Sequence, residues 1–275
     1  MKETAPKSTE TTQERIAELP AKSADSLTSY YLREIKRSGN EGAVVEFISQ
    51  QLSSEAKPYD SAENFLAANP NYLQQTREKL SDDQKQALRN YSSYNFAWIN
   101  SVERGFWDYD KLGHKTPEKE AQIRETSRNV DRAICAAPAP QEDFVTYRGT
   151  DLNGFGNFGV HSLEDLAALE GQMMVERGYT STAIDRSHSF VEEEGTLWLG
   201  QSNIEMRYRI PGGKKTCVAM LDETLSHSPQ QTEVLLNRGM MSYISKVEYD
   251  KPGHATIDAV VVPFELYDPA RVERV

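Results

Sequence analysis

The spacing of apolar residues changes once along this chain of 275 residues, close to residue 140. Between residues 29 and 135 the apolar residues recur at steps of three and four, the spacing of one face of a helix. From residue 143 onward, short runs rich in Val, Ile, Tyr and Leu follow one another between turn residues. Helices first and strands afterwards predict an α+β domain and not alternating β-α-β units.

Two helix starts in the first part carry capping signals. Ser81 stands three residues before Gln84, and Thr116 precedes a proline at the first helical position. The second helix must stop before Pro138, because neither proline nor the residue before it fits a helix interior. The residues that these helices would bury are Ala87, Leu88, Tyr91 and Tyr94 in the first, and Ile123, Val130, Ala133 and Ile134 in the second.

The second part contains a series of strand candidates. A GxGxxG run at residues 154–159 follows the first of them, but it leads into a short helix at Ser162. A dinucleotide-binding fold needs a long helix there, so the run predicts a flexible glycine loop. The candidates are Phe144–Tyr147, Gly178–Thr182, Thr196–Gly200, Ile204–Ile210, Thr216–Leu221, Glu233–Leu236, Met241–Tyr249 and Thr256–Leu266.

Composition excludes several classes of protein. The 31 Lys and Arg residues against 42 Asp and Glu give a net charge of −11, which disfavours general binding to nucleic acid or to anionic membranes. No apolar run approaches the roughly 20 residues of a membrane span. Cys135 and Cys217 are too few for a disulfide scaffold and lack metal-ligand spacing, so we expect two buried apolar residues and no metal.

Residues 1–28 differ from the rest of the chain. They are rich in Ser and Thr, with Lys and Glu interleaved and almost no large apolar side chain. Such a segment cannot bury enough surface to order itself, so we expect a disordered leader. It is either a frayed terminus or a polar export signal of the kind that bacterial injection systems use. A Sec signal peptide is excluded because the apolar segment is missing.

Three separated pieces of the second part carry residues suited to chemistry. Tyr147-Arg148-Gly149 places an arginine at the end of a strand, where its guanidinium can bind phosphate in a bidentate way. Ser181 lies among small hydroxyl residues on a second strand. Gln231 and Glu233 stand two residues apart at the start of a third, and residues two apart on a strand point to the same face.

An arginine strand, an STS-like strand and a Gln-x-Glu strand, in that order, resemble the R-S-E mono-ADP-ribosyltransferases, the family of the C3-like and binary clostridial toxins. The resemblance covers roughly residues 78–262. The further pieces that carry it are Leu80–Gln84, Ala87-Leu88, Tyr91-Ser92, Ile99-Asn100, Arg104, Pro138–Pro140, Thr150-Asp151, Glu233–Leu236 and Arg238-Gly239.

The sequence departs from the family pattern at three places. Ala183 stands where the third hydroxyl of the STS triplet would be, and Asn237 replaces a proline. Neither change removes a group that the chemistry needs. The loop at residues 225–229 lacks the aromatic residue with which C3-like enzymes contact Rho-type GTPases, which argues against a Rho-type target.

The resemblance implies a fold and an activity. The fold is a set of N-terminal helices followed by two packed, mainly antiparallel β-sheets, with one domain over residues 29–275. Residues 29–140 form its helical part and residues 141–275 its catalytic part. The activity is cleavage of the nicotinamide–ribose bond of NAD⁺ and transfer of ADP-ribose to a protein side chain, with NAD⁺ as co-substrate and no metal.

The resemblance also implies a role for each site residue. Glu233 would hold the ribose 2′-hydroxyl and stabilise the oxocarbenium-like centre, and Ser181 would fix its rotamer. Arg148 would bind a phosphate of NAD⁺ or brace the site. The remaining candidates for NAD⁺ binding are Tyr147, Gly149 through its backbone, Asn100, Arg104 and Phe190, which would either stack on nicotinamide or lie in the core.

Gln231 bears on the acceptor. Members that modify arginine usually carry Glu at this position, because a guanidinium is a poor nucleophile and needs an anionic partner. Gln is neutral and can orient an amide or a hydroxyl. We therefore expect transfer to Asn, Gln, Thr or Ser and not to Arg.

The whole pattern predicts a secreted bacterial effector that acts in the host cytoplasm on a host protein. A small GTPase and a ubiquitin-like protein are both open as acceptors, and we expect a monomer. One alternative is an NAD⁺ glycohydrolase on the same fold, with water as acceptor. The other is a catalytically inactive module that binds a host protein.

Overall fold

The computed structural model of the protein describes residues 16–21, 23–107, 113–189, 203–214, 216–229 and 232–273. Most of its helices precede its strands, as the change in apolar spacing predicts. A π-helical turn, Tyr91–Asn95, joins α5 to α6. The α-helices are α1 (Ser26–Ser38), α2 (Glu41–Ser53), α3 (Ala62–Ala68), α4 (Tyr72–Lys79), α5 (Asp82–Asn90), α6 (Phe96–Glu103), α7 (Pro117–Ala136), α8 (Phe264–Tyr267) and α9 (Pro269–Glu273).

Both predicted helix starts are confirmed. The Ser81 hydroxyl accepts from the Gln84 N–H, and the Gln84 side chain accepts from the Ser81 N–H, so α5 begins with a complete capping box. Thr116 caps α7 by accepting from the Lys119 N–H at 3.3 Å. Most of the residues expected in the core are buried: Ala87, Leu88, Tyr91, Val130, Ala133 and Ile134. Ile123 is partly buried. The side chain of Tyr94 lies outside the described part of the chain.

The strands form a mixed sheet in the order β3-β8-β9-β5-β2-β4-β7-β6, with β1 beside β2. Two pairs, β1–β2 and β5–β9, are parallel, and the other pairs are antiparallel. The α+β class and the mainly antiparallel strands are therefore confirmed. The strands are β1 (Lys57–Pro58), β2 (Phe144–Thr150), β3 (Met173–Val175), β4 (Thr180–Ala183), β5 (Ile204–Ile210), β6 (Val218–Met220), β7 (Glu233–Leu236), β8 (Met241–Glu248) and β9 (Ala255–Val262).

The two expected sheets are present as two blocks of one hydrogen-bonded sheet. Strands β3, β8, β9, β5 and β2 form one block, and β4, β7 and β6 form the other. A single pair of residues, Tyr147 and Ala183, joins β2 to β4, whereas β2 pairs with β5 along its whole length. The junction between the blocks thus lies directly before Arg148 in the chain.

The helices that precede residue 78, outside the resemblance, share the core of the sheet. Phe65 of α3 packs against Tyr72 of α4, with ring centroids 5.4 Å apart, and against Phe144 of β2 at 5.0 Å. All three rings are buried. These helices are therefore part of the same folded unit as the strands.

The folded part begins before residue 29. Leu19 is buried, and Asp25 caps α1 by accepting from the Thr28 N–H at 2.7 Å. Arg177 donates to the same Asp25 carboxylate at 2.8 Å, and the Val175 N–H donates to the Thr28 hydroxyl at 3.0 Å. Residues 23–28 are thus fixed to the chain around β3, which corrects the expected leader boundary at residue 28. Residues 1–15 lie outside the described residues.

Two further segments differ from expectation. The glycine run is not a flexible loop, because it forms most of a 3-10 helix, Leu152–Phe158, which ends at Gly159 with a positive φ of 78°. The last strand ends at Val262 and not at Leu266, since Pro263 cannot donate to a sheet and α8 follows it. The strand predicted at Thr196–Gly200 lies outside the described residues.

The two cysteines are buried, as predicted, but they are bonded to each other. Cys135 at the end of α7 and Cys217 just before β6 form a disulfide. The pair is 82 residues apart in sequence, so only the fold brings it together. This corrects the expectation of two unpaired apolar residues.

The Asp25 contacts predict a measurable contribution to stability. We expect Asp25→Ala to lower the free energy of unfolding by about 2 kcal/mol, because a helix cap and the partner of Arg177 are lost together. The pKa of Asp25 is lowered, since hydrogen bonds from Thr28 and Arg177 outweigh the effect of burial. Its contribution is therefore present at neutral pH and is lost as the pH falls through its folded pKa.

Urea unfolding at neutral and acidic pH tests this expectation. Glu125→Ala is the matched control, because Glu125 pairs with Arg128 in an exposed pair in which both side chains are half accessible. Equal losses of stability in the two variants would contradict the assigned role of Asp25.

Candidate active site

Strands β2, β4 and β7 are neighbours in the sheet, and they bring the three signature residues together. Arg148 of β2 donates through Nη1 to the Ser181 carbonyl of β4 at 2.8 Å. The Ser181 hydroxyl donates to the Glu233 carboxylate at the start of β7. The structure therefore brings together Arg148, Ser181 and Glu233, the three residues that carry the resemblance, and their roles stay a prediction.

Glu233 is held in a buried position at the end of a strand. Glu233 is only 8% exposed, and its backbone carbonyl accepts from the Leu221 N–H at 2.9 Å. Burial raises the pKa of Glu233, while the hydrogen bond from Ser181 and the charge of Arg148 oppose this rise. Ser181 and Arg148 thus favour the ionised form of the carboxylate against the effect of burial.

The pairing of β4 with β7 explains why one hydroxyl is enough. Ser181 lies opposite Leu235, and Ala183 lies opposite Glu233. Ser181 therefore reaches Glu233 along the diagonal of the antiparallel pair. The residue directly across from Glu233, where the motif would have another hydroxyl, is the apolar Ala183.

Tyr91 is a residue near the site that the sequence indicated only as part of the core. It is fully buried, and its hydroxyl accepts from the Asn100 side chain at 3.1 Å. Its pKa is raised by burial first and then by the charge of Glu233, while the charge of Arg148 lowers it. The phenol is therefore near enough to Glu233 and Arg148 for both charges to act on it, and it remains neutral.

Asn100 joins α6 to the start of β4. Its amide nitrogen donates to the Tyr91 hydroxyl and, at 3.3 Å, to the Tyr179 carbonyl. Its amide oxygen accepts from the Tyr179 N–H at 2.8 Å. Gly178 packs so closely that a Cβ would lie 2.8 Å from this oxygen. Asn100 thus positions the strand that carries Ser181, and its contact with NAD⁺ stays a prediction.

Arg104 lies one helical turn after Asn100, as expected, but its charge is partly occupied. Its Nε and Nη2 donate to Glu176 at 3.2 and 3.1 Å. The Gly178 N–H donates to the same carboxylate oxygen at 3.2 Å. A phosphate at Arg104 would therefore compete with Glu176 for the guanidinium.

Gly149 and Tyr147 are placed differently from the other candidates. The Gly149 N–H donates to the carbonyl of Ser189, so this backbone donor already has a partner. Tyr147 lines a cavity of about 400 Å³ together with Arg186, Arg207 and Arg209. Tyr147 and Arg148 are consecutive residues of β2 and so face opposite sides of the sheet, and the contact of Tyr147 with NAD⁺ stays a prediction.

Two candidates, Gln231 and Phe190, lie outside the described residues. Gln231 and Glu233 can share a strand face only if Thr232 between them is extended. The strand instead begins at Glu233, and Thr232 has a left-handed φ of 49°. Alternation along a strand therefore does not apply to this pair.

A buried ion-pair network anchors the catalytic strands to the helices. Arg238, just after β7, donates to Asp131 of α7 at 2.7 Å and also to Glu103 at the end of α6. The Tyr179 hydroxyl, just before β4, donates to Asp131 at 2.7 Å. The Arg238-Gly239 motif was the only sequence signal for this network.

Comparison with known proteins agrees with this geometry. A model of the family described as ADP-ribosyltransferase exoenzyme matches residues 69–262, well over half of the chain. The chain belongs to this family of NAD⁺-dependent mono-ADP-ribosyltransferases. No match was found among curated proteins.

Solved structures of bacterial toxins have the same fold. C3stau2 of S. aureus, solved with NAD, is 22% identical, with a TM-score of 0.56 over 76% of this chain and 100% of that chain. The Clostridium limosum C3 exoenzyme is also 22% identical, with a TM-score of 0.56 over 76% and 98%. The enzymatic component C2-I of the Clostridium botulinum C2 toxin is 18% identical, with a TM-score of 0.53 over 76% and 50%.

The chain is thus an ADP-ribosyltransferase of the exoenzyme family, with the fold that the solved C3 exoenzymes share. In the described part of the chain, no helix is long and apolar enough to cross a membrane. Among the same residues, His, Cys, Asp and Glu form no group of three or more that could hold a metal ion.

The bridging role of Asn100 predicts a loss of stability in Asn100→Ala. We expect a decrease of about 2 kcal/mol in the free energy of unfolding, because the substitution leaves buried polar groups of Tyr91 and Tyr179 without a partner. Chemical unfolding measures it, with Ser101→Ala as the control one residue away. Unchanged stability together with weaker NAD⁺ binding would instead make Asn100 a direct ligand contact.

The Ser181–Glu233 hydrogen bond predicts a shift in the pH profile. Loss of the hydroxyl in Ser181→Ala removes a group that favours the ionised carboxylate, so the pKa of Glu233 rises further. If catalysis uses the ionised form, the acidic limb of the kcat/KM profile moves to higher pH. Ser53→Ala, an exposed serine on α2, is the control. A lower rate with an unmoved acidic limb would contradict this role.

Proposed function

We propose that the protein is a secreted bacterial effector that transfers ADP-ribose from NAD⁺ to a host cytoplasmic protein. The acceptor side chain is Asn, Gln, Thr or Ser and not Arg. The observation that carries the proposal is the buried Glu233 carboxylate, hydrogen-bonded by Ser181 and close to the charge of Arg148. The groups fit NAD⁺, since a guanidinium suits its phosphates and a carboxylate suits its ribose.

Glu233 supplies the electrostatic part of the reaction. Positive charge develops on the ribose as the bond to nicotinamide breaks, and a fixed carboxylate in a buried site stabilises that charge strongly. Ser181 holds the carboxylate in place. Arg148 is itself held by the Ser181 carbonyl, which keeps its guanidinium close to the same strand.

The identity of residue 231 supports the choice of acceptor. A Gln cannot readily remove a proton from a guanidinium, whose pKa lies far above neutral. It can donate to and accept from an amide or a hydroxyl. The acceptor protein is of host origin, and the loop at residues 225–229, without an aromatic residue, argues against a Rho-type GTPase.

Labelled NAD⁺ added to host-cell lysate tests the proposal. We expect the wild type to label a protein band, and Glu233→Gln, which keeps the shape but removes the charge, to lower labelling by about 10² or more. Ser53→Ala should label as the wild type does. Mass spectrometry then identifies the modified side chain.

Three results would contradict the proposal. ADP-ribose on an arginine would overturn the acceptor assignment. Loss of NAD⁺ in buffer as fast as in lysate, with no labelled protein, would favour a glycohydrolase. A cellular effect that persists in Glu233→Ala would favour an inactive binding module.

A further inference from the structure

Thr232 has a backbone conformation that its side chain disfavours. Its φ of 49° lies in the left-handed region, where β-branched residues are rare. Strained residues of this kind persist only where their surroundings hold them, and they cluster at functional sites. Thr232 lies between Gln231 and Glu233. The proposed function assigns acceptor orientation to Gln231 and NAD⁺ activation to Glu233.

Three contacts hold Thr232 in this conformation. Its N–H donates to the Pro229 carbonyl at 3.2 Å, and its carbonyl accepts from the Ile184 N–H at 3.3 Å. Its hydroxyl oxygen lies 3.5 Å from Nδ1 of His188. The first two contacts are made by the backbone, so the His188 contact is the one that depends on the threonine side chain.

His188 can hold Thr232 in its conformation, because the turn that contains His188 is hydrogen-bonded to the strands of the site. The turn follows β4, and the Asp185 side chain caps it by accepting from the Ser187 N–H at 2.8 Å. Arg186 donates to the buried Glu205 of β5 at 2.7 Å. The Ser189 carbonyl accepts from Gly149 of β2. The turn thus connects β2, β5 and the start of β7.

We propose that Thr232 and His188 are positioning residues that determine how ADP-ribose is divided between a protein acceptor and water. This rests on the proposed function. Their contact keeps the chain before Glu233 in its left-handed conformation and so fixes the acceptor side of the site. Glu233 itself is held independently by β6 and Ser181, so cleavage of NAD⁺ does not need the contact.

The two reactions share one bond cleavage. In both, the ribose–nicotinamide bond breaks and its electron pair leaves with nicotinamide. In transfer, the oxygen or nitrogen of the acceptor side chain forms the new bond to ribose and releases its proton to solvent. In hydrolysis, the oxygen of water forms that bond and also releases its proton. A misplaced acceptor therefore lowers transfer and leaves hydrolysis.

The test measures protein labelling in host lysate and NAD⁺ hydrolysis in buffer on the same variants. Thr232→Val keeps the shape but loses the hydroxyl, and His188→Ala loses the ring. We expect each to lower the ratio of transfer to hydrolysis by about tenfold, with hydrolysis within about twofold of wild type. Thr232→Asn, which tolerates a left-handed φ and keeps a polar side chain, should retain the ratio.

Controls separate this effect from misfolding and from failure of the proposed function. Thr126→Val removes a hydroxyl from the exposed face of α7 and should change neither activity. In the double variant, the two losses should not add, because they remove the same contact. Parallel losses of transfer and hydrolysis, or an unchanged ratio in Thr232→Val, overturn this inference alone. Wild-type activity in Glu233→Gln overturns the proposed function and with it the inference.

Discussion

The ion pair between Asp131 and Arg238 connects the helical and the sheet parts of the molecule. Both side chains are largely buried, with 15% and 20% of their surface exposed, so each depends on the other for solvation. The Tyr179 hydroxyl, just before β4, and the Arg271 guanidinium of α9 join the same carboxylate. One acidic side chain of α7 thereby fixes the segments next to β4 and β7, the strands that carry Ser181 and Glu233.

This anchoring matters because the catalytic block of the sheet is small. Strands β4, β7 and β6 are short and join β2 through one pair of residues, so hydrogen bonds between strands alone fix them weakly. Asn100 supplies a second anchor at Tyr179. The site is therefore held from the helices as much as from the sheet, which explains why helical motifs far upstream belong to the same family pattern.

Because the protein is acidic, binding of the NAD⁺ phosphates would require local positive charge. The net charge is −11, and Arg104, one of the two arginines expected at the phosphates, is paired with Glu176. Arg148 donates to a neutral carbonyl and keeps its full charge for a ligand. If these two arginines bind the phosphates as predicted, Arg104 would have to exchange its carboxylate partner for phosphate, whereas Arg148 would not.

The sequence predicted the features that depend on neighbouring residues or on the order of motifs along the chain. The remaining features depend on contacts that only the fold creates. The caps at Ser81 and Thr116 are local, and the motifs of Arg148, Ser181 and Glu233 each lie on a strand, as their residue patterns indicate. Tyr147 and Arg148 are consecutive residues of β2 and so face opposite sides of the sheet, which alternation along a strand already indicates. The left-handed Thr232 has no sequence signal, since threonine is an unfavourable residue there.

The disulfide and the family departure at Asn237 belong together. Asn237 is fully buried after β7, its N–H donates to the Cys217 carbonyl at 3.2 Å, and its side-chain amide lies 3.2 Å from the Cys135 sulfur. A proline, as in the family pattern, has no N–H and could make neither contact. Asn237 therefore contacts both cysteines of the disulfide, Cys217 through its backbone and Cys135 through its side chain. Together these three residues hold the end of β7 to α7.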